Sequence, residues 1–319
     1  MNKTKQTIMK TRDILLVFAA MGMMTACNNT DDVQPQSGTP IQLMSAVDGL
    51  TRAGTSIQTN SLLTGERVNV YITAPNGGAV YEPKVYRINT GGEMAPVGNI
   101  FPYFPTNGNG VDVYALYPEA VTNETRNFEV QENQDKQAQY KQSDLMFGTI
   151  LDGDGNRMTV NPTATKQVVT FKHKLSKITV KLISGKGSPV LKNSEIQLCN
   201  VYKTIGFTPS SGALSGISGD PGYIKVTSNG GTTAGVSAII PPQSIGTGYF
   251  LKVRLASGDV IYYSPQQTFD LESGKEYRFN MTINQDGLTV NYTVSDWLNT
   301  QDELGNANNV FTGEPSFSE

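Results

Sequence analysis

Short runs of alternating apolar and polar residues, separated by glycine-rich turns, most strongly constrain how this chain folds. One such run follows the turn Asp286-Gly287 and places four apolar residues on the same side, which are Leu288, Val290, Tyr292 and Val294. A period of two residues is that of a β-strand, whereas a helix repeats every 3.6 residues. The 32 glycines and 16 prolines, with abundant Thr, Val and Tyr, favour strands joined by tight turns. We therefore expect an all-β fold.

Residues 1–26 have the features of a secretory signal and are set aside in predicting the fold. An apolar stretch from Ile14 to Met24 is shorter than the ~20 residues that span a bilayer as a helix. It follows four basic residues, which are Lys3, Lys5, Lys10 and Arg12. The tetrad Met24-Thr25-Ala26-Cys27 resembles a bacterial lipobox, with Met24 at the usual leucine. The resemblance implies acylation of Cys27, including palmitate, and an outer-membrane anchor. The alternative is an ordinary signal peptide with an incidental cysteine.

The segment from residue 27 to residue 52 combines this tether with a predicted strand and a basic site. Ile41, Leu43 and Val47 form one apolar face, which Ser45 interrupts. The residues from Gly49 to Gly54 are then predicted to form a flexible, cleavable stretch that contains Arg52-Ala53. This order predicts a lipidated propeptide (27–52) with a removable strand, followed by a folded body that begins at residue 53.

Charge and cysteine content narrow the class of protein. The whole chain carries a net charge of −3, and the leader holds four basic residues against Asp13, so residues 27–319 carry about −6. This acidic balance excludes a general nucleic-acid binder, which needs a basic face. After Cys27 only Cys199 remains, so the mature chain forms no internal disulfide. We expect Cys199 to be a small buried side chain of a strand.

The body is predicted to contain two strand-rich halves, residues 53–166 and 167–319. Residues 161–166 look like the linker between them. In the run that opens the second half, the apolar phase slips by one residue near Ser176-Lys177, which predicts a bulge or bend.

Candidate catalytic and metal-binding residues are few. The Asp152–Asn156 turn begins like a calcium loop, but Arg157 and Thr163 stand where the pattern requires Gly and Glu. His173 is the single histidine, and no Gly-x-Ser-x-Gly motif accompanies it. We expect a structural histidine, and we expect the single tryptophan, Trp297, to fill the core. No catalytic residue, metal site or cofactor is predicted, although a glycosidase with two carboxylates stays open.

Five groups of residues together carry a resemblance to the fimbrillin family of Bacteroidota, which builds protease-assembled (type V) pili. In chain order they are Arg52-Ala53, Tyr114–Pro118, Asp144–Phe147, Phe171–Ile178 and the stretch from Gly274 through Trp297. The resemblance extends over almost the whole chain and implies two tandem transthyretin-like, Greek-key β-sandwich domains behind a lipoprotein signal peptide.

The resemblance also implies how such a precursor assembles. An arginine-specific protease would cut after Arg52, and a strand from another fimbrial subunit would replace the strand of Ile41, Leu43 and Val47. The tail after Trp297 has few apolar residues and contains Pro315, which favours a tip or minor subunit. The alternative function is a surface lipoprotein that binds glycans or host ligands without polymerising. The receptor, the donor strand and the position in the pilus are not predicted by the sequence.

Overall fold

The computed structural model describes residues 38–48, 62–227 and 235–297, together with the backbone of Ser316–Phe317. In these residues the elements are almost all strands, with one short α-helix, Gln137–Gln142 (α1), and a 3-10 turn at Thr90–Gly92. Among them no helix is long and apolar enough to cross a membrane. The all-β prediction is confirmed.

Eight strands lie in the described chain up to His173, which extends beyond the predicted first half (53–166) at both ends and is called the first half from here on. They are β1 (Leu43–Val47), β2 (Arg67–Thr73), β3 (Lys84–Ile88), β4 (Glu93–Pro96), β5 (Asp112–Tyr117), β6 (Asn127–Glu129), β7 (Met146–Ile150) and β8 (Gln167–His173). All except β6 form one hydrogen-bonded ladder in the order β1-β4-β3-β2-β5-β7-β8. Because β1 pairs with β8 as well as with β4, this ladder closes into a barrel.

Alternate side chains of each barrel strand point inward and form an apolar core. Its largest buried members include Ile41, Leu43, Tyr86, Met94 and Phe171, each 1% exposed or less. Gly148 of β7 lies where a side chain would not fit, because a Cβ there would come within 2.8 Å of Phe171 and Val169. The predicted strand of residues 41–47 therefore belongs to a closely packed interior.

The second half contains the remaining strands. They are β9 (Ser176–Ser184), β10 (Glu195–Val201), β11 (Thr204–Thr208), β12 (Ala213–Ser218), β13 (Gly222–Thr227), β14 (Val236–Ile240), β15 (Ser244–Ile245), β16 (Leu251–Arg254), β17 (Val260–Tyr263), β18 (Phe269–Asp270), β19 (Lys275–Asn284), β20 (Gly287–Asp296) and β21 (Ser316–Phe317).

Two sheets of this half, ordered β13-β10-β16-β17-β21 and β14-β9-β19-β20, pack face to face. Tyr263 of β17 contacts Phe279 of β19 with ring centroids 6.1 Å apart, and Phe250 lies 5.6 Å from the same ring. Such aromatic pairs bury large areas and join the two layers of a sandwich. The second core is formed mainly by these two sheets.

A small sheet, ordered β12-β11-β6, connects the two halves. β6 comes from the first half of the sequence and pairs with β11 from the second. Beside it, Tyr71 and Tyr114 of the barrel stack with centroids 4.7 Å apart, and Phe147 follows at 6.1 Å from Tyr114. These three rings point away from the barrel interior and belong to the second core.

The strand β8 follows the predicted boundary between residues 166 and 167 but belongs to the barrel. It pairs with β7 and β1, so a cut before Gln167 divides the barrel ladder. The predicted change of phase near Ser176 coincides with a strand end, because β8 stops at His173 and β9 starts at Ser176 in another sheet. The described residues belong to one compact unit, and two tandem domains stay a prediction.

The hydroxyl of Tyr86 is buried in the barrel core and has no hydrogen-bond partner among the described residues. Burial raises the pKa of this phenol, so the group stays neutral at physiological pH. A buried polar group without a partner costs about 1–3 kcal/mol. We therefore expect Tyr86→Phe to raise the unfolding free energy by about 1 kcal/mol, measured by urea denaturation. Tyr263→Phe is the matched control, because Tyr263 is also buried but its hydroxyl is not among the buried atoms without a partner. Equal effects of the two substitutions would contradict the explanation by the unpaired hydroxyl.

Candidate functional site

The candidate site is the position of β1 in the barrel, between β4 and β8. Residues Leu43 to Val47 run parallel to β8, from the pair Leu43–Gln167 to the pair Val47–Phe171. On the other side β1 is antiparallel to β4 through the pairs Leu43–Met94 and Met44–Glu93. We call the space that residues 41–47 fill between these two strands the β1 groove. β1 is the strand that closes the barrel, since its pairing joins β4 to β8.

Backbone hydrogen bonds extend this attachment beyond both ends of β1. The Ile41 amide donates to the Pro102 carbonyl at 2.8 Å, and Phe104 donates to Thr39 at 2.9 Å. At the other end, Asp48 donates to the Phe171 carbonyl at 2.7 Å. Removing residues 38–48 would leave their partners without these bonds, and unpaired backbone groups are unfavourable unless water or another strand satisfies them.

The inward face of the segment is apolar with one exception. Ile41 and Leu43 are each 1% exposed and Val47 is 2% exposed, which matches the predicted apolar face. Burial of each such side chain contributes about 1.5–3 kcal/mol. The exception is Ser45, whose hydroxyl donates to the Gly92 carbonyl at 3.1 Å. The groove is therefore an apolar channel with one polar contact.

The outward face and the end of the segment meet solvent. Gln42, Met44 and Ala46 are half-buried. Asp48 pairs with Lys172 at 3.2 Å, with both side chains about half exposed. An ion pair this exposed contributes little to stability. The hydrogen bonds and the inward face consequently hold the segment in place.

The other predicted site residues lie outside the described residues. These are Cys27, the predicted lipidation site, and Arg52 with Ala53, the predicted cleavage site. Lipidation and cleavage therefore stay predictions. The described part of the chain resumes at Leu62, which lies in the barrel core at 1% exposure.

His173 occupies a buried structural position, as predicted. Its Nδ1 lies 2.7 Å from the Asp144 carboxylate, and its ring stacks on Trp297 with centroids 3.8 Å apart. Its Nε2 is buried and has no hydrogen-bond partner among the described residues. The described structure therefore places no hydroxyl or thiol at this nitrogen for the imidazole to activate. Trp297 is 3% exposed, which confirms the prediction that it fills the core.

The Asp152–Asn156 segment forms a turn, as the sequence predicts. The amides of Asp154 and Asn156 both donate to the Asp152 carboxylate, at 3.0 and 2.8 Å. Gly155 has φ +81°, the left-handed conformation that glycine adopts most easily. Among the described residues no group of three His, Cys, Asp or Glu side chains is arranged to hold a metal ion.

Cys199 lies on β10 with intermediate exposure, so it is less buried than we expected. Burial still raises the pKa of its thiol, which disfavours the nucleophilic thiolate. The surface cleft beside β2 and α1 contains the acid Glu66, which pairs with Lys141 and accepts from the Tyr117 hydroxyl. Nearby, Glu119 pairs with Arg67 at 3.2 Å. The carboxylates of these two residues are thus engaged in ion pairs.

Comparison with solved structures shows which proteins share this fold. A putative cell adhesion protein from Bacteroides uniformis ATCC 8492 superposes with a TM-score of 0.62 and 18% identity, over 81% of this chain and 99% of that protein. One from Bacteroides ovatus ATCC 8483 gives 0.63 and 18%, over 83% and 100%. The tip fimbrial protein Mfa3 from Porphyromonas gingivalis, with a C-terminal truncation, gives 0.51 and 12%, over 73% and 95%. At these identities the likeness establishes a common fold.

Sequence comparison identifies the family. A search of the curated proteins finds no match. A family model described as fimbrillin-like matches residues 51–297, which is well over half of the sequence. The match begins beside the predicted cleavage site and ends at Trp297. The chain therefore belongs to the fimbrillin-like family.

Proposed function

We propose that this protein is a structural subunit of a cell-surface fimbria that supports adhesion and is assembled by strand exchange. In this proposal it is exported as an outer-membrane lipoprotein acylated on Cys27 and then cut after Arg52 by an arginine-specific protease. The observation that carries the proposal is the position of β1 as the closing strand of the barrel. A fimbrillin-like subunit acts through contacts with other fimbrial subunits and needs no catalytic site.

The position of β1 in the sequence suits a removable strand. It is the first described strand, so cleavage after Arg52 separates residues 27–52 from the body without cutting any other described strand. The separated segment would be held only by noncovalent contacts. Its departure would leave an apolar channel with unpaired backbone groups on β4 and β8, an arrangement that favours rapid refilling.

Another subunit can refill the channel with an extended segment of its own. Main-chain hydrogen bonds supply affinity in such strand addition, and pockets for alternate side chains supply specificity. A subunit that accepts a strand at one surface and donates one from another forms a head-to-tail contact, which extends into a filament. The tail after Trp297 has few apolar residues, so it would make a poor donor strand. Because a tip subunit accepts a strand but donates none, we propose a tip or minor position.

The N-terminal residue of the surface-assembled protein tests this function. We expect Ala53 in the assembled form, and we expect Arg52→Lys to stop processing and assembly because the protease requires arginine. The Lys variant keeps the positive charge, so electrostatic effects on the precursor are matched. An assembled form that begins with acylated Cys27 would contradict the proposal.

One observation favours the alternative of a non-polymerising lipoprotein that binds glycans. Tyr249 is 48% exposed and packs on Tyr262 with centroids 4.6 Å apart, and the ammonium of Lys252 lies 5.9 Å from the Tyr262 ring. An exposed aromatic ring next to a half-buried one and a cation suits stacking on a sugar ring. Glycan binding that is lost in Tyr249→Ala, by protein that forms no oligomer after arginine-specific cleavage, would favour this alternative.

A further inference from the structure

The polar residue in the β1 segment needs a physical explanation. Ser45 points into the groove in line with Leu43 and Val47, and it is only 6% exposed. A valine at this position would have a higher strand propensity and would bury more apolar surface. If the groove recognised only apolar area, serine would be a poor choice.

The end of the β1–β4 ladder explains the serine. The pairing of the two strands stops at Met44–Glu93, so it does not extend to Ser45. The residue before Glu93 is Gly92, which is buried and has φ +82° in the tight turn that leads into β4. The side chain of Ser45 donates to the Gly92 carbonyl where the ladder has ended.

The turn itself is fixed, so the Gly92 carbonyl cannot easily move to another partner. The Gly92 amide donates to Asn89 at 3.1 Å, and the Asn89 amide donates to Glu93 at 2.7 Å. The conformation of Gly92 lies in the left-handed region, which other residues adopt at a cost. An occupant without a donor at the Ser45 position would therefore leave a buried acceptor unsatisfied.

We propose that the β1 groove selects its incoming strand by a small hydroxyl side chain at the position of Ser45. The partner is a strand with apolar residues at the positions of Ile41, Leu43 and Val47 and with serine or threonine at the position between the last two. This selection rests on the proposed strand exchange, and it names the chemistry that a donor segment presents. It excludes strands that are apolar throughout, although those would gain more from burial alone.

Peptide exchange tests the selection directly. The purified protein is nicked after Arg52 with an arginine-specific protease and mixed with labelled peptides of residues 38–48, GTPIQLMSAVD. Four peptides carry Ser, Thr, Ala or Val at position 45. We expect the Ser and Thr peptides to bind, and the Ala and Val peptides to bind about tenfold more weakly, because they leave the Gly92 carbonyl unpaired. Equal or tighter binding of the Val peptide would overturn the proposal.

Thermal unfolding of the uncut protein tests the preference for a hydroxyl at position 45 without any strand exchange, so its result does not depend on the proposed function. Ser45→Val is expected to lower the Tm, whereas Ser45→Thr keeps it near that of the unchanged protein. Ala46→Val is the matched control, since Ala46 lies on the outward face of the same strand. If no peptide displaces the resident segment, the proposed strand exchange fails, and the melting comparison still decides whether the groove prefers a hydroxyl side chain at position 45. A Ser45→Val protein that melts at or above the unchanged protein would overturn it.

Discussion

A protein with Leu43→Asp is expected to lose at least about 4 kcal/mol of unfolding free energy, which is a large part of the stability of an ordinary domain. Leu43 is 1% exposed and belongs to the barrel core, and its backbone pairs with Met94 on one side and Gln167 on the other. A carboxylate there would be buried among apolar side chains without a cation to neutralise it. The change also removes the favourable burial of leucine.

The matched control for this prediction is Ala46→Asp in the same strand. Ala46 is half-buried on the outward face, opposite Thr170, so its carboxylate can stay hydrated. We expect a loss of about 1 kcal/mol or less. Urea denaturation followed by far-UV circular dichroism measures both variants. Equal losses of unfolding free energy in the two variants would contradict a β1 strand that buries Leu43 in the barrel core and turns Ala46 outward.

The dependence of the barrel on β1 has a consequence for assembly. Loss of β1 opens the ring between β4 and β8, while the other pairs from β4 through β8 stay intact. In a closed ladder the loss of any one strand opens the ring at one place, but β1 is the first described strand, so a single cut after it frees it from the rest of the chain. The proposed strand exchange at this position would therefore need one chain cut and one added strand, with the pairs from β4 through β8 kept.

Several features of the fold were predictable because they depend on local sequence. The alternation from Ile41 to Val47 predicts β1, which the structure places at Leu43–Val47. β19 and β20 form one long antiparallel pair, as the flanking alternation predicts, and the turn between them lies at Gln285-Asp286, one residue before the predicted Asp286-Gly287. His173 is buried, as the apolar face that it shares with Val169 and Phe171 predicts. In each case burial on one face of a strand leaves a pattern of period two.

Other features leave no such pattern. β12 and β13 lie in a Gly- and Ser-rich stretch, and most of the side chains of β12 are exposed, so no alternation marks it. β4 contains Pro96, and β6 has only three residues. The break between β8 and β9 looks like a slip in one run because two strands of different sheets follow each other within three residues.

The details of the candidate site depend on long-range contacts. The parallel partner of β1 is β8, more than a hundred residues away, and the hydrogen bond from Ser45 to Gly92 joins residues 47 positions apart. From the sequence, Ser45 is only an interruption of an apolar face. The signal that points to its role is the combination of that interruption with the glycine pair Gly91-Gly92, and a single sequence does not connect the two.

Glu276→Gln is expected to lower the unfolding free energy by about 3 kcal/mol at about pH 7, because it leaves a buried cation without its carboxylate. Glu276 of β19 is 1% exposed and accepts a hydrogen bond from Thr179 at 2.6 Å. Its carboxylate also pairs with Lys177 at 3.5 Å and with Arg278 at 3.1 Å. The side chain of Lys177 is 9% exposed and lies over the Trp297 ring, at 6.0 Å.

The loss from Glu276→Gln should shrink as the pH rises. Burial lowers the pKa of Lys177, and Glu276 opposes this effect by favouring the charged ammonium, so removing the carboxylate lowers the pKa further. Above its folded-state pKa, Lys177 is neutral in the folded protein but still charged in the unfolded chain up to about pH 10.5. In that range the unfolded chain binds more protons, and stability increases with pH.

Urea denaturation of both proteins at about pH 7 and about pH 9.5 measures this difference. Changes in other groups are common to both proteins and cancel in the comparison. The double variant Glu276→Gln, Lys177→Met removes the buried cation, so it should lose less stability at about pH 7 and show no extra gain at the higher pH. Asp144 and Arg278 also act on Lys177 and are unchanged throughout. Two outcomes would contradict a buried Lys177–Glu276 pair at the junction of β9 and β19. One is a loss of unfolding free energy from Glu276→Gln that is the same at both pH values, and the other is an equal loss in the double variant.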